Sequence, residues 1–161
     1  MRRPKARSGW LLRLLDSPLY LYRHGWGWVL GHRVLQLTHR GRRTGRLRWT
    51  VLQVLRYDPK TGEAVVMSGS GPTTHRLRNI QANDQLEVSI GRTFFAGSYR
   101  LLGPEEAIAV LADYERRNIA MRPLVRAVLG RLGDGRFDGS YAARRRLVHQ
   151  LPMVAFRPLT P

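Results

Sequence analysis

The strongest restriction on the fold comes from residues 47–57, which predict a long β-strand. Apolar side chains alternate along one face with Gln53 as the exception, while Leu52 and Val54 make the centre of the other face apolar too. Both faces of such a strand must be covered, which is typical of the wall of a barrel or sandwich. The apolar face is expected to consist of Leu47, Trp49, Val51, Leu55 and Tyr57.

The turn that precedes this strand is rich in arginine. Gly41 and Gly45 bound it, and both glycines are expected to let the backbone adopt positive φ. Crowded guanidinium groups repel one another, so a phosphate or carboxylate bound between them would stabilise the turn, and exposed backbone N–H groups would add to an anion nest. The alternative is a solvated basic hairpin. The arginines concerned are Arg40, Arg42, Arg43, Arg46 and Arg48.

Charge indicates the kind of partner. Lysine and arginine number 28 against 11 acidic residues, a formal net charge of +17. Such a surface favours nucleic acid, acidic lipid or a polyanionic small molecule. No nucleic-acid-binding motif is present, so we expect no specific nucleic acid partner. The absence of cysteine excludes disulfides, thiolate catalysis and metal–thiolate sites.

No metal site is expected, because the histidines lack the spacing of metal ligands relative to one another or to carboxylates. The carboxylates also do not pair for acid–base catalysis, and they are interpreted as caps, turns or helix surface. Any enzymatic activity would therefore depend on a bound cofactor. The carboxylates interpreted in this way include Asp58, Glu63, Glu87, Glu105, Glu106, Asp113, Glu115 and Asp138.

The order of elements predicts one α+β domain over residues 1–161, with its sheet curled into a small barrel. A flexible basic arm at 1–8 and N-terminal amphipathic helices come first, then antiparallel strands, then helices and a closing strand, with a flexible connector at 133–139. The predicted strands are 33–39, 47–57, 63–68, 86–91, 93–102 and 151–156, and the predicted helices are 75–82, 104–118, 121–132 and one capped by Ser140.

A short apolar helix is predicted over residues 9–15, and a second helix over 18–31 combines tyrosine and tryptophan with basic residues. This composition suits an anionic membrane surface, a lid over an apolar pocket, or packing on the core. No apolar run reaches the ~20 residues needed to span a bilayer. The N-terminus also lacks the cleavage site of a signal peptide, which favours a cytoplasmic protein, with membrane association as an open alternative.

Five collinear motifs carry a resemblance to a known family. The segments are Leu-Thr-x-x-Gly-Arg-Arg-Thr-Gly-x-x-Arg from Leu37, Ser-Gly-x-Gly from Ser68, Arg-Asn-Ile-x-Ala-Asn from Arg78, Val-x-Ile-Gly from Val88, and the closing Leu-Pro-Met-Val-Ala-Phe from Leu151. Together they resemble the deazaflavin-dependent nitroreductase family. These proteins are split β-barrel oxidoreductases that use coenzyme F420, an 8-hydroxy-5-deazaflavin.

The resemblance also implies roles for particular residues. The arginine-rich turn would hold the phosphate and oligoglutamate tail of F420, and the following strand would line the cofactor groove. Met67, Ser68 and Gly69 match the segment beside the deazaflavin ring, and Arg76, Leu77 and Asn79 match a short helix of the family. The catalytic side chain is left open, with Ser68 and Tyr141 as candidates. The implied cofactor-binding residues are Arg42, Arg43, Thr44, Arg46, Arg48, Trp49, Thr50, Val51, Leu52, Gln53, Met67, Ser68, Gly69, Arg76, Leu77 and Asn79.

The function expected from the resemblance is hydride transfer from reduced F420 to a flat conjugated acceptor of the quinone, nitroaromatic or enone type. The alternative is a non-catalytic protein that binds an amphiphile or F420 at an anionic membrane surface, with residues 1–30 making a peripheral contact. The expected partner is a small-molecule electron acceptor, and the chain is expected to be a monomer or a homodimer.

Overall fold

A computed structural model describes residues 31–41, 44–67, 78, 80–82, 86–133 and 135–159. Within these residues six strands form a closed antiparallel barrel, in the spatial order β1-β2-β3-β6-β5-β4. The predicted α+β split barrel of about six strands is therefore confirmed. The strands are β1 (Val34–Arg40), β2 (Leu47–Asp58), β3 (Glu63–Met67), β4 (Leu86–Ile90), β5 (Thr93–Leu101) and β6 (Met153–Pro158).

The barrel is filled by alternate side chains of its strands, with β5 contributing the partly buried Phe95 and Tyr99. Leu35 and Leu37 of β1 and Phe156 of β6 are fully buried there, and Leu52 and Val54 contribute from β2. The central part of β2 is thus apolar on both faces, as its pattern predicts, because the opposite face supplies Leu55 to a second core.

A β-bulge in β2 changes which side chains face the barrel interior near the end of the strand. The register shifts between Val54 and Arg56, and Tyr57 then pairs with Ala64, whose side chain lies in the barrel. A bulge inserts one extra residue and so reverses which side chains face inward beyond it. The prediction that Tyr57 shares a face with Leu55 was therefore wrong.

Three helices pack on one outer face of the barrel within the described residues. They are α1 (Pro104–Arg117), α2 (Arg122–Leu132), preceded by a 3₁₀ turn at Ile119–Met121, and α3 (Tyr141–Gln150). The second core lies between these helices and the outward side chains of β2, β3 and β6. Ser140 begins α3 as predicted, because its hydroxyl accepts a hydrogen bond from the backbone N–H of Ala143 at 3.1 Å.

Two carboxylates expected at caps, turns or the helix surface are instead buried. Glu63 accepts hydrogen bonds from Arg100 and Arg157, and Glu115 accepts one from Arg126 and one from Arg144. A carboxylate can be buried only when charged partners replace its water. Asp58 does lie in a turn, where its side chain accepts from Lys60 N and Thr61 Oγ1.

Among the described residues, no helix is long and apolar enough to cross a membrane. The same part of the chain contains no group of three or more histidine or acidic side chains placed to hold a metal ion. The N-terminal helices predicted over 9–31, apart from Gly31, lie outside the described residues, as does most of the helix predicted over 75–82.

Candidate functional site

The turn between β1 and β2 is closed by its own backbone. Gly41 N donates to Arg46 O at 2.9 Å, and Gly45 N donates to Gly41 O at 2.8 Å. These two N–H groups are therefore satisfied within the turn, and the prediction that exposed N–H groups there add to an anion nest was wrong for both. Any anion site at the turn depends on its side chains.

The two glycines serve different purposes. Gly45 has φ of +64°, as predicted. Gly41 does not have positive φ, which corrects the prediction. A Cβ at Gly41 would lie 3.0 Å from Thr44 Oγ1 and 3.3 Å from Arg48 Nε. Gly41 is therefore required for space, because the turn folds back over it.

The described arginines of the turn are exposed to solvent. Arg40 donates from Nη1 to Gly45 O at 3.3 Å, which holds it against the turn. Arg46 and Arg48 are exposed, and no carboxylate among the described residues forms an ion pair with either. The turn thus retains a positive charge that an anion could neutralise. Arg42 and Arg43 lie outside the described residues.

A cavity of about 510 Å³ lies between the outward face of β2 and helix α2. Its wall is mostly apolar, with a few polar groups at one end. That volume falls within the ~300–1,000 Å³ of small-molecule sites, which are typically apolar with a few polar groups. The lining residues are Arg33, Val51, Leu52, Gln53, Leu55, Met67, Tyr114, Asn118, Met121, Leu124, Val125, Val128, Leu129 and Leu132.

A second compartment of about 310 Å³ adjoins this cavity and shares part of its wall. Arginine and histidine side chains dominate its own part of the wall, and we call it the cationic annex. His32 stacks on Tyr57 there, with ring centroids 4.1 Å apart. The annex is lined by His32, Arg33, Gln53, Val54, Leu55, Arg56, Tyr57, Tyr114, Arg117 and Asn118.

Tyr114 stands where the cavity and the annex meet. Its phenol oxygen accepts a hydrogen bond from Gln53 Nε2, and no acceptor among the described residues takes its own O–H. Burial raises the pKa of Tyr114, and the positive charges of Arg33 and Arg117 oppose that shift. The hydroxyl therefore remains protonated at neutral pH and can donate a hydrogen bond into the cavity.

Four of the sequence-predicted cofactor residues line the cavity. Val51 and Gln53 face it from the outward side of β2, Met67 borders it from the end of β3, and Leu52 borders it while its side chain packs in the barrel. The strand therefore brings together the central part of the predicted groove.

The remaining predicted residues lie outside this wall. Thr44, Arg46 and Arg48 belong to the exposed turn, and Trp49 and Thr50 follow them on β2 without bordering the cavity. Tyr141 lies at the start of α3, where its hydroxyl donates to Glu105 Oε1 at 3.0 Å, and it lines neither compartment. The predicted residues outside the described part are Arg42, Arg43, Ser68, Gly69, Arg76, Leu77 and Asn79.

Several lining residues were not predicted from the sequence. In the sequence, Tyr114 lies on the apolar inner stripe of the helix predicted over 104–118, and residues 121–132 have the pattern of a basic amphipathic helix, which indicates packing rather than a site. Gln53 could have been recognised as a site residue from the sequence, because it is the one polar residue on the apolar face of its strand. A polar side chain at such a position is retained when it has a partner, which here is Tyr114.

The fold and this cavity define a class: a split β-barrel protein with an apolar cavity of small-molecule size beside its longest strand. A sequence model described as F420H(2)-dependent quinone reductase matches residues 21–123. The chain therefore belongs to the F420H2-dependent quinone reductase family, and at the family level it is an F420H2-dependent reductase. Comparison with curated protein sequences gave no match.

Solved structures that are similar to this chain have low sequence identity to it. A protein of unknown function from Agrobacterium tumefaciens is 14% identical, with a TM-score of 0.51 over 98% of this chain and 59% of its own. An FMN-binding protein related to pyridoxamine 5'-phosphate oxidase from Nostoc punctiforme is 16% identical, with a TM-score of 0.48 over 95% of this chain and 82% of its own. An F420-H2 dependent reductase is 16% identical, with a TM-score of 0.47 over 79% of this chain and 96% of its own.

Proposed function

We propose that this chain binds F420 along the outward face of β2 and reduces a flat conjugated acceptor of the quinone, nitroaromatic or enone type. One observation carries the proposal. The apolar cavity beside Val51 and Gln53 adjoins the part of β2 that the resemblance assigns to the cofactor. The exposed Arg46 lies just before the same strand, and the exposed Arg48 lies at its beginning.

The residues present fit the chemistry of the group. The apolar wall suits fused rings, and Arg46 and Arg48 suit a phosphodiester and γ-linked glutamates, since guanidinium groups bind such oxyanions through paired hydrogen bonds. In this proposal the arginine-rich turn holds the acidic tail, while Val51 and Met67 contact the ring. The cofactor, when bound in reduced form, supplies a hydride.

The other groups of the cavity would act on the acceptor. Tyr114 would donate its O–H to the acceptor oxygen on which negative charge develops, and Gln53 would hold the phenol in position. Val125 and Leu129, the more buried apolar side chains of α2 in this wall, would exclude water from the apolar side, which strengthens that hydrogen bond. The protein would thus orient the two reactants and stabilise charge, which requires no side-chain nucleophile.

Cofactor binding and turnover test the proposal. Purified protein titrated into F420 at low salt should change the fluorescence of the deazaflavin with a micromolar or lower Kd. With F420H2 and a naphthoquinone, oxidation of the cofactor should then be followed by absorbance. Lack of F420 binding at micromolar concentration would refute the cofactor assignment, and binding without turnover of any conjugated acceptor would refute the reductase assignment.

A second candidate function is a non-catalytic binder of an amphiphile at an anionic membrane surface. Its sequence basis, residues 1–30, lies outside the described residues, but one described feature favours it. The large apolar side chains of Ile119, Met121 and Leu124 are exposed on and just before α2, beside Arg122. Such a surface can enter the lipid interface while arginine contacts phosphate.

Vesicle co-sedimentation separates the two functions. The binder predicts sedimentation with vesicles rich in phosphatidylglycerol but not phosphatidylcholine, no F420H2 turnover, and loss of sedimentation when residues 1–30 are deleted. The reductase predicts turnover in the absence of vesicles. Sedimentation that survives both the deletion and Leu124→Ser would exclude this surface as the contact.

A further inference from the structure

The charges around the annex do not balance. Arg117 donates to Asp113 Oδ2 at 2.8 Å, but Asp113 also pairs with Arg116. No described carboxylate pairs with Arg33. The surplus of positive charge is therefore greatest beside Arg33, which borders both compartments.

The third guanidinium of the annex belongs to Arg56. Arg56 forms ion pairs with Glu63 and Glu106. Both carboxylates also pair with Arg100, and Glu63 pairs with Arg157 as well. Across this end of the barrel, three carboxylates are thus available to six arginines, of which all except Arg33 form an ion pair with one of them. The arginines are Arg33, Arg56, Arg100, Arg116, Arg117 and Arg157.

The annex is also well separated from the arginine-rich turn. Backbone N of Val54 donates to Arg33 O at 2.8 Å, so Arg33 lies level with Val54 on β2. Arg48 lies six residues earlier on the same strand, about 20 Å away at ~3.3 Å per residue. The apolar cavity beside Val51 lies between these two cationic regions.

We propose that the cationic annex binds an acidic substituent of the electron acceptor, so that favoured acceptors are flat conjugated rings bearing a carboxylate or sulfonate. The inference rests on the proposed function for the identity of this ligand. The turn takes the tail of the cofactor at one end of the cavity, and the opposite end remains for the acceptor. Tyr114 and Gln53 line both compartments, so an acidic group held by Arg33 would keep the ring of the acceptor against the phenol.

A pair of matched dyes tests the annex without cofactor or turnover. The probes are 1-anilinonaphthalene-8-sulfonate and N-phenyl-1-naphthylamine, which differ by one sulfonate and fluoresce in apolar sites. We expect Arg33→Gln to reduce the preference for the sulfonated dye, measured as the ratio of the two Kd values, about tenfold. Arg33→Lys should restore part of the preference, and the exposed Arg145→Gln on α3 controls for loss of net charge and should leave the ratio unchanged. An equal change of the ratio in Arg33→Gln and Arg145→Gln would overturn the annex as an anion site.

Turnover tests the acceptor assignment separately. With F420H2, the ratio of kcat/KM for 1,4-naphthoquinone-2-sulfonate to that for 1,4-naphthoquinone should fall about tenfold in Arg33→Gln, and chiefly through KM. If the wild-type protein reduces neither quinone while the dye ratio still responds to Arg33, the reductase function is overturned and the anion site is supported. If both quinones are reduced with an unchanged ratio in Arg33→Gln, the acceptor assignment is overturned.

The acidic tail of the cofactor is the other source of such an anion. Titrations of F420 and of its tail-less deazaflavin riboside into wild type and Arg33→Gln distinguish the two sources. We expect both deazaflavins to respond equally to Arg33→Gln. A selective loss of F420 affinity would place the tail in the annex and overturn the assignment to the acceptor.

Discussion

Gln53 donates a side-chain hydrogen bond to the phenol oxygen of Tyr114, joining the outward face of β2 to the last turn of α1. The contact fixes the direction of the remaining phenol proton, because an oxygen that accepts from an amide N–H has its own O–H to donate elsewhere. The two residues therefore form a positioned donor at the junction of the cavity and the annex.

Removing that donor should lower turnover more than stability. In Tyr114→Phe we expect kcat for a quinone to fall about 100-fold, the usual effect of losing one donor to developing negative charge. The free energy of unfolding should fall by about 1 kcal/mol, the typical net value of one hydrogen bond. Stopped-flow oxidation of F420H2 and urea unfolding measure the two quantities.

Tyr141→Phe provides the matched control. Tyr141 is the tyrosine that the sequence offered as a catalytic candidate, and its hydroxyl is engaged by Glu105 outside both compartments. We expect kcat to be unchanged in this variant. A large loss in Tyr141→Phe with none in Tyr114→Phe would reverse the assignment and show that the donor lies at the start of α3.

The ion pair between Glu106 and Arg100 should make the free energy of unfolding depend on pH within a defined range. Glu106 receives two parallel hydrogen bonds from Arg100, at 2.8 Å each, and these hold the pKa of Glu106 at about 2, below the usual 4.5. Because the folded-state pKa is depressed, the stabilisation is present above pH 4.5 and is lost as the pH falls towards 2. Glu106 is about a third exposed, so we expect only about 1–2 kcal/mol after solvent screening.

Urea unfolding of Glu106→Gln at several pH values checks this prediction. The deficit relative to wild type should be greatest at pH 7 and should shrink between pH 4.5 and pH 3. The exposed Glu87→Gln on β4 removes the same charge without this ion pair, and it should cost less than about 0.5 kcal/mol. A deficit in Glu106→Gln that stays constant with pH would contradict the role of the ionised carboxylate.

The sequence pattern was enough to predict that β2 is covered on both faces. It was not enough to predict which side chains of β2 face into the barrel after residue 55. Leu52, Val54 and Leu55 were sufficient to indicate a strand covered on both sides. The bulge was not predictable from this pattern, because apolar side chains at 55 and 57 fit a regular strand equally well. The pairing of Tyr57 with Ala64 is decided by the neighbouring strand.

The candidate site was predictable only where its residues lie in one segment. Val51, Gln53 and Met67 were reached through strand patterns and motifs, whereas Tyr114 comes from a helix 61 residues after Gln53. A tyrosine in the inner stripe of a helix has the pattern of a core residue, and only the partner that faces it reveals another role.

Long-range partners also explain the two buried carboxylates. Arg157 reaches Glu63 from 94 residues away, and Arg144 reaches Glu115 from 29 residues away. A single acidic residue is expected at the surface unless the cations that compensate its burial are known. Tertiary contacts supply that information, and local sequence does not.

Glu115 should be among the most sensitive polar positions for folding. Its carboxylate joins all three helices, since Arg126 Nε lies 3.2 Å from Oε1 and Arg144 Nε lies 2.8 Å from Oε2. In Glu115→Gln two partly exposed guanidinium groups lose a buried counter-charge, and we expect the free energy of unfolding to fall by about 3 kcal/mol. Urea unfolding at pH 7 measures the loss, with Glu87→Gln as the control for charge alone. A fall of less than about 1 kcal/mol in the free energy of unfolding would contradict this role of Glu115, because solvent would then be enough to compensate the two guanidinium charges.

The arginine-rich turn should contribute to cofactor affinity in a salt-dependent way. Arg46 and Arg48 have no described carboxylate partner, so an acidic tail would not compete with an internal ion pair for them. Replacing both by alanine should weaken F420 binding by about 2–4 kcal/mol at low salt, at about 1–2 per charged hydrogen bond. Arg42→Ala with Arg43→Ala should behave in the same way, because the resemblance assigns those two positions to the acidic tail as well.

Fluorescence titration at two salt concentrations measures this contribution, because exposed charges are screened within ~10 Å at 0.1 M salt. The deficit should narrow as the salt is raised from 50 to 500 mM. Arg136→Ala with Arg145→Ala removes the same charge from exposed positions outside both compartments, so it shows how much affinity depends on net charge alone. If this control weakens F420 as much as Arg46→Ala with Arg48→Ala does, general attraction rather than the turn holds the tail. Similar weakening of the tail-less deazaflavin by the turn variants would instead show that these arginines contact the ring.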